Sequence, residues 1–162
     1  MAHFAEIGGD NIVKRIITWN DAEVRGNGGS YSTEIEEYVG AKMGGTWKQT
    51  SYTGRTRKNY AGIGYTWSSE YDGFIEAKSD WRDSWTLNTN TCQWDPPHVS
   101  PSGDVLLTGV TWQDDDGATI KQEYRQFWND GAGRWESKLY NEDGSLKSEH
   151  YWNNSSSQWE DK

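Results

Sequence analysis

The chain is short of most features on which common functional classes depend. A single cysteine, Cys92, stands among 162 residues, so neither an internal disulfide framework nor a multi-cysteine zinc site is available. The three prolines all fall within residues 95–103. No stretch approaches the ~20 consecutive apolar residues of a membrane helix. The opening Met1-Ala2-His3-Phe4-Ala5-Glu6 has neither the basic stretch nor the apolar run of a secretory signal, so the expectation is a soluble protein made in the cytosol. Positive charge is also scarce, with 16 Lys and Arg against 25 Asp and Glu, a net charge of −9. Nucleic-acid binding needs a basic stripe to neutralise phosphates, and nucleic acid is therefore not an expected partner. The one basic cluster, Arg55, Arg57 and Lys58, lies beside turn residues and reads as a solvated loop.

Hydrophobic residues make up 33% of the chain with its 18 glycines left out, and the share remains low against the ~45–50% usual when glycine is counted in. What the chain has instead is eleven Trp and nine Tyr. Each buried aromatic removes ~150–250 Å² from water, so a few rings can replace many aliphatic side chains. Small cores built on aromatic plates are expected, and disorder is not.

The expected fold is mainly β: an α+β N-terminal part with one helix on a small antiparallel sheet, then a C-terminal meander of β-hairpins. Phe4-Ala5-Glu6-Ile7 and Ile12 to Trp19 read as a hairpin closed by Gly8-Gly9-Asp10-Asn11. The helix is placed at Thr33–Met43, with Thr33 and Glu36 at capping-box spacing, acids in the first turn, and Gly44-Gly45 as the stop. Ile35, Val39 and Met43 form its apolar stripe. Trp47–Tyr52 and Tyr60–Trp67 read as strands, the glycines of the second suiting close backbone approach. The proline-bearing stretch from Asp95 to Gly103 reads as a linker, which divides the chain into a domain over 1–98 and a Trp-rich hairpin module over 99–162.

The aromatic spacing carries the reading furthest. Trp67 and Phe74, Trp128 and Trp135, and Trp152 and Trp159 each stand seven residues apart around a polar turn, and Trp85 and Trp94 stand nine apart. In an antiparallel hairpin with an even-numbered loop, residues at odd separation lie directly opposite on one face. Seven is met by a four-residue loop plus one flanking pair, which brings the rings together for ~0.2–1 kcal/mol per cross-strand pair. Trp128 and Trp152, like Trp135 and Trp159, are offset by 24 residues. Asp116 to Tyr124 likewise echoes Asp143 to Tyr151, so a hairpin unit repeats and must stack to bury an apolar face.

Residues 5–97 resemble a family of small virion proteins from marine bacteriophages, especially cyanophages. The resemblance rests on Ala5-Glu6-Ile7, on Asn11 to Ile17, on Gly44-Gly45-Thr46-Trp47-Lys48-Gln49-Thr50-Ser51-Tyr52 and on Arg57 to Trp67. Asp72-Gly73-Phe74-Ile75, Ser84 to Leu87 and Cys92 to Pro97 complete it. The Tyr52-to-Arg57 loop is shorter than usual in that family, and Glu76-Ala77-Lys78 replaces a proline-rich segment. The resemblance implies a structural part of a phage particle located in the virion, with other virion proteins as partners, and it supplies no catalytic residue.

Motifs that could carry chemistry each have a plainer explanation. Asp114-Asp115-Asp116 offers oxygens to calcium, but lacks the closing Glu of an EF-hand and is explained by an Asp-Gly turn. His3, His98 and His150 have no metal-ligand spacing, and Cys92 has no context that would activate a thiol. Glu34, Glu36 and Glu37 suit the positive end of the helix. An enzyme is not expected. The expected function is assembly into a virion, most simply its tail, fibre or baseplate periphery, as a homo-oligomer. The rivals are capsid decoration and carbohydrate binding during host adsorption. Aromatics that would contact a glycan or partner are Trp112, Tyr124, Trp128, Trp135, Trp152 and Trp159, whereas Trp67, Phe74, Trp85 and Trp94 are structural brackets.

Overall fold

The computed structural model describes residues 1–101, 111–113, 119–121, 124–141 and 143–162, the side chains of 111–125 excepted. It is mainly β, with small antiparallel sheets and two α-helices among the described residues. The calcium candidates Asp114, Asp115 and Asp116 lie outside the described residues, and so do the side chains of Trp112 and Tyr124.

The elements run β1 (Ala2–Ile7), β2 (Val13–Trp19), α1 (Asp21–Gly26), α2 (Thr33–Met43), β3 (Thr46–Thr50), β4 (Thr66–Ser68) and β5 (Gly73–Ile75). A 3-10 turn (Asp80–Arg82), β6 (Thr86–Asn88), β7 (Gln93–Asp95), β8 (Thr111–Gln113) and β9 (Thr119–Lys121) follow. The chain closes with β10 (Tyr124–Asn129), β11 (Arg134–Tyr140), β12 (Leu146–Asn153) and β13 (Gln158–Asp161). Two compact units are present. One comprises Met1–Lys78 and Leu87–Trp94, the other Ser79–Thr86 and Asp95–Lys162. The chain thus alternates between them, where the sequence reading draws one boundary after residue 98.

The first unit is built on the sheet β2-β1-β3. Side chains alternate across a strand, and β1 uses both faces. Phe4 packs with Val24 of α1, Ile35 and Val39 of α2, and Trp47 of β3. Ala5 and Ile7 point the other way, into a core with Val13, Ala61, Trp67 and Phe74. The β4–β5 hairpin that covers this second face is tied to the start of β2 by Val13 N–Tyr65 O at 2.8 Å and to the turn before it by Trp67 N–Asn11 O at 2.8 Å. Of the expected strand 60–67 only Thr66 and Trp67 lie in a ladder, as part of β4. The segment before it turns, and a Cβ on Gly62 would stand 2.6 Å from the Tyr65 ring, so that glycine is needed for close approach.

Three local expectations are corrected. A short helix, α1, occupies 21–26, capped by the Asn20 side chain on Ala22 N. The cap of α2 is Ser32, whose Oγ accepts from Ile35 N at 3.2 Å, one residue before the expected Thr33. Glu36 is thereby free of capping and turns inward. Arg57 is not solvated but 8% exposed, and its guanidinium pairs with the buried Glu36 carboxylate. Lys48 Nζ at 2.7 Å and Gln49 N at 2.9 Å also donate to Glu36. Arg57 Nη1 further donates to Gln49 O at 2.8 Å, and the guanidinium carbon lies 5.0 Å from the Trp67 ring centroid. A buried charge demands this degree of pairing.

Candidate interaction surface

The second unit holds the four-stranded antiparallel sheet β10-β11-β12-β13. Its order follows the sequence, as a meander of two repeated hairpins requires. Trp128 pairs with Trp135 across β10 and β11, and Trp152 with Trp159 across β12 and β13. Both pairs have ring centroids 5.5 Å apart, crossed at 72° and 70°. Glu136 pairs with Tyr151 across β11 and β12, so one residue further along that register Trp135 comes alongside Trp152. The 24-residue offset therefore sets four tryptophans in one transverse row on one face.

The row is covered at one end only in part by its own strands. Trp85 packs edge-on to Trp128 and Trp135 at 6.4 and 6.1 Å, and Trp135 Nε1 donates to His98 O at 2.8 Å. Trp128 Nε1 donates to Asp130, whose Oδ1 also accepts from Ser84 N at 3.0 Å. Trp128 and Trp135 are consequently 3% and 9% exposed. Neither can offer a ring face to a glycan or partner, which corrects their expected contact role. Trp152 and Trp159 are half-buried and keep part of their surface in solvent, next to the outer strand β13.

The opposite face of the sheet is polar and closely bonded. Glu136, 2% exposed, accepts from Lys162 Nζ at 2.8 Å and Arg134 Nε at 3.1 Å. Burial alone would raise the Glu136 carboxyl, but hydrogen bonds from Lys162, Asn129 and Arg134 outweigh it and hold the group below its ordinary value. Tyr151 donates its hydroxyl to Glu160, which raises the phenol and, with Asn153, lowers the Glu160 carboxyl. Arg134 lies 4.2 Å over the Tyr151 ring. Both carboxylates are thus favoured in the charged form, the reverse of what a general acid needs. Among the described residues, no three His, Cys, Asp or Glu side chains converge on a possible metal position.

The structural brackets divide into one kind that pairs and one that does not. Trp67 pairs with Phe74 across β4 and β5, ring centroids 4.9 Å apart. Trp85 falls just outside β6, which begins at Thr86, and joins the ring cluster of the second unit. Trp94 belongs to the first unit, where its Nε1 donates to Glu76 O at 2.8 Å and Lys78 lies over its ring. The loop between β6 and β7 has four residues, so the position seven before Trp94 is Leu87 and not Trp85. A nine-residue bracket does not fit this loop.

A further regularity was missed in the spacing. Four hairpins share the same four-residue loop, 69–72, 89–92, 130–133 and 154–157. Its last residue is left-handed each time: Asp72 (φ 44°), Cys92 (φ 55°), Gly133 (φ 62°) and Ser157 (φ 54°). The residue just before the loop is Ser or Asn, whose side-chain oxygen accepts loop amides: Ser68 from Tyr71 N, Asn88 from Asn90 N, Asn129 from Ala132 N and Asn153 from Ser155 N. Such side chains mimic a backbone turn. The Ser or Asn directly after Trp67, Leu87, Trp128 and Trp152 was the available signal.

No protein-family model matches the chain, and neither a curated protein nor a solved structure matches it.

Proposed function

We propose that this chain is a non-enzymatic structural component of a bacteriophage virion, associated with the tail at its fibre or baseplate periphery, and that it works by protein–protein assembly. The observation that carries the reading is the tryptophan row, which runs from buried Trp128 and Trp135 to half-buried Trp152 and Trp159 beside the outer strand β13. An outer strand with unsatisfied ladder positions recruits a neighbour unless it is covered, and aromatic rings are enriched where proteins meet. The resemblance of residues 5–97 to small virion proteins of marine bacteriophages supplies the particle.

The test is mass spectrometry of purified virions from a phage that encodes the chain. Detection at a copy number matching a tail substructure is expected, whereas absence from intact particles overturns the proposal. A copy number in the hundreds would move the protein to the capsid surface, as a decoration protein. Carbohydrate binding in host adsorption is the other reading, and the half-exposed Trp152 and Trp159 are what favour it on this unit.

A further inference from the structure

The turn that joins α1 to α2 contains the only Asn-Gly pair of the chain, Asn27-Gly28. Structure fixes both residues there. Gly29 N donates to Val24 O at 2.9 Å, which closes α1 in the manner that requires a left-handed residue just past the cap. That residue is Gly28, at φ 91°. A Cβ on it would lie 2.7 Å from Ser32 Oγ and 2.8 Å from Glu34 Cβ, so the position calls for glycine on both counts. Asn27 is the cap itself, its N donating to Val24 O at 3.3 Å and its Nδ2 to Glu23 O at 2.8 Å. Gly29 O in turn accepts from Oγ of Ser32, the cap of α2, at 3.0 Å. The turn therefore ties two helix ends together. Both helices serve one core, through Val24 of α1 and Ile35 and Val39 of α2.

The same requirements leave the pair chemically open. An asparagine carboxamide is attacked by the main-chain nitrogen of the next residue when that nitrogen is unhindered and not held in a hydrogen bond. In a helix end of this kind the left-handed residue usually donates to a carbonyl of the last turn. Here, among the described residues, Gly28 N has no hydrogen-bond partner, although Asn27 N and Gly29 N on either side of it both donate to Val24 O. Gly28 is exposed to water and has no side chain to obstruct the approach. Every other asparagine of the chain precedes a residue that carries one.

We infer that Asn27 is a self-modification site of the folded chain. The Gly28 nitrogen forms a bond to Asn27 Cγ, the Cγ–Nδ2 bond breaks, and ammonia leaves with the proton from Gly28. Water then opens the cyclic imide. Cleavage of the new N–Cγ bond yields aspartate, and cleavage of the original peptide bond yields isoaspartate, with an additional methylene in the main chain. Water is the only co-reactant, and nothing is oxidised or reduced. Either product loses the amide that donates to Glu23 O and places a negative charge at the C-terminal end of α1, where the helix dipole opposes it. Isoaspartate also shifts Gly29 away from Val24 O and Ser32 Oγ. The hold of both helices on their shared core thus slackens as the protein ages. This chemistry belongs to the first unit and does not rest on the virion reading.

The test is to incubate the full chain at physiological temperature and mildly alkaline pH, native and in urea, and to follow its tryptic peptide 26–42 by mass spectrometry. Asn27 is the one asparagine of that peptide, which also lacks glutamine. In the native chain as well as in urea, the peptide should gain the mass that separates a carboxylic acid from a carboxamide. A methyltransferase specific for isoaspartate should label the product. Asn27→Ser, which has no carboxamide, should stay unchanged. Hydrogen exchange reads the consequence: the Val24 and Ile35 amides should exchange about tenfold faster in the aged chain than in the fresh one, as for the loss of a helix cap. An unchanged peptide in the native chain, modification confined to urea, or the same mass gain in Asn27→Ser would each overturn the site. Unaltered exchange at both amides in the modified chain would overturn its effect on the helices.

Discussion

Trp152 stands directly across from Trp159, ring centroids 5.5 Å apart, in the same transverse row as Trp128 and Trp135. The two pairs have the same spacing, loop length and geometry, yet different exposure. Their energetic roles should differ accordingly. Trp128→Ala removes a fully packed ring and should cost about 3–5 kcal/mol. Trp152→Ala should cost clearly less, with a coupling to Trp159 of about 0.5–1.5 kcal/mol in a double-mutant cycle. Urea denaturation of the single and double variants measures both.

The left-handed loop ends give a prediction of opposite sign. A side chain in this conformation costs about 1–2 kcal/mol relative to glycine, partly offset by the flexibility glycine adds to the unfolded chain. Ser157→Gly should therefore stabilise the protein by about 0.5 kcal/mol or more. Gly133→Ala, where an added Cβ meets nothing within 4 Å, should destabilise it by about 1 kcal/mol through backbone strain alone. Thermal unfolding of the two variants beside the wild type is the check.

Removing one partner of the buried Glu36–Arg57 pair leaves the other with its second ion-pair partner only, Lys48 for Glu36 and Asp72 for Arg57. Glu36→Gln or Arg57→Met should each cost somewhat less than the ~3–5 kcal/mol of a buried charge left wholly unpaired. The double variant Glu36→Gln/Arg57→Met should cost less than the sum of the two, because neither charge then remains. Denaturant midpoints at neutral pH test this non-additivity.

Acid should weaken the second unit through Glu136. Its carboxyl is held below the ordinary value of 4.5 by Lys162, Asn129 and Arg134, against the effect of burial. A carboxyl depressed on folding contributes stability that is present above its unfolded value and lost as pH falls through the lower folded value. Lys162, raised by its bond to Glu136, contributes below its own unfolded value and loses that contribution only as pH rises through the raised one. The Glu136→Gln variant should be less stable than wild type at pH 7, and the difference should shrink below pH 4.5. Unfolding midpoints across that range, read by near-UV circular dichroism, distinguish the two proteins.

The parts of the fold readable in the sequence are those set by local rules. Strand parity and loop length alone place Trp67 on Phe74, Trp128 on Trp135 and Trp152 on Trp159. Acids in the first turn, the apolar spacing and the Gly44-Gly45 stop place α2 at about Thr33–Met43, although its cap is Ser32 and not Thr33. The Trp85–Trp94 bracket failed because spacing was read without the loop that has to close it. Arg57 was misread because its partner, Glu36, lies 21 residues away, and no local pattern links them. The same reason hid the ring cluster of His3, Tyr52 and Tyr60, in which the β1–β3 pairing sets His3 beside the end of β3 and the bond from Ala61 N to Thr50 Oγ1 docks the segment that carries Tyr60. Burial, too, was set from outside the repeat: Trp128 and Trp135 are sealed by Trp85 and His98, which belong to no hairpin of the meander.

The alternation of the chain between its two units bears on how the protein can be made and broken. Ser79–Thr86 serves the second unit, and Leu87–Trp94 returns to the first. A ribosome therefore cannot finish the first unit until the Trp81–Trp85 segment of the second has already emerged and stands without its sheet. A protease cutting the proline-bearing stretch would likewise release two fragments that each lack something. The leading piece would carry Trp85 with nothing to cover, and the trailing piece would expose Trp128 and Trp135. Neither fragment is a domain in the genetic sense, and the gene offers no single point at which a recombination event could hand one unit to another protein intact.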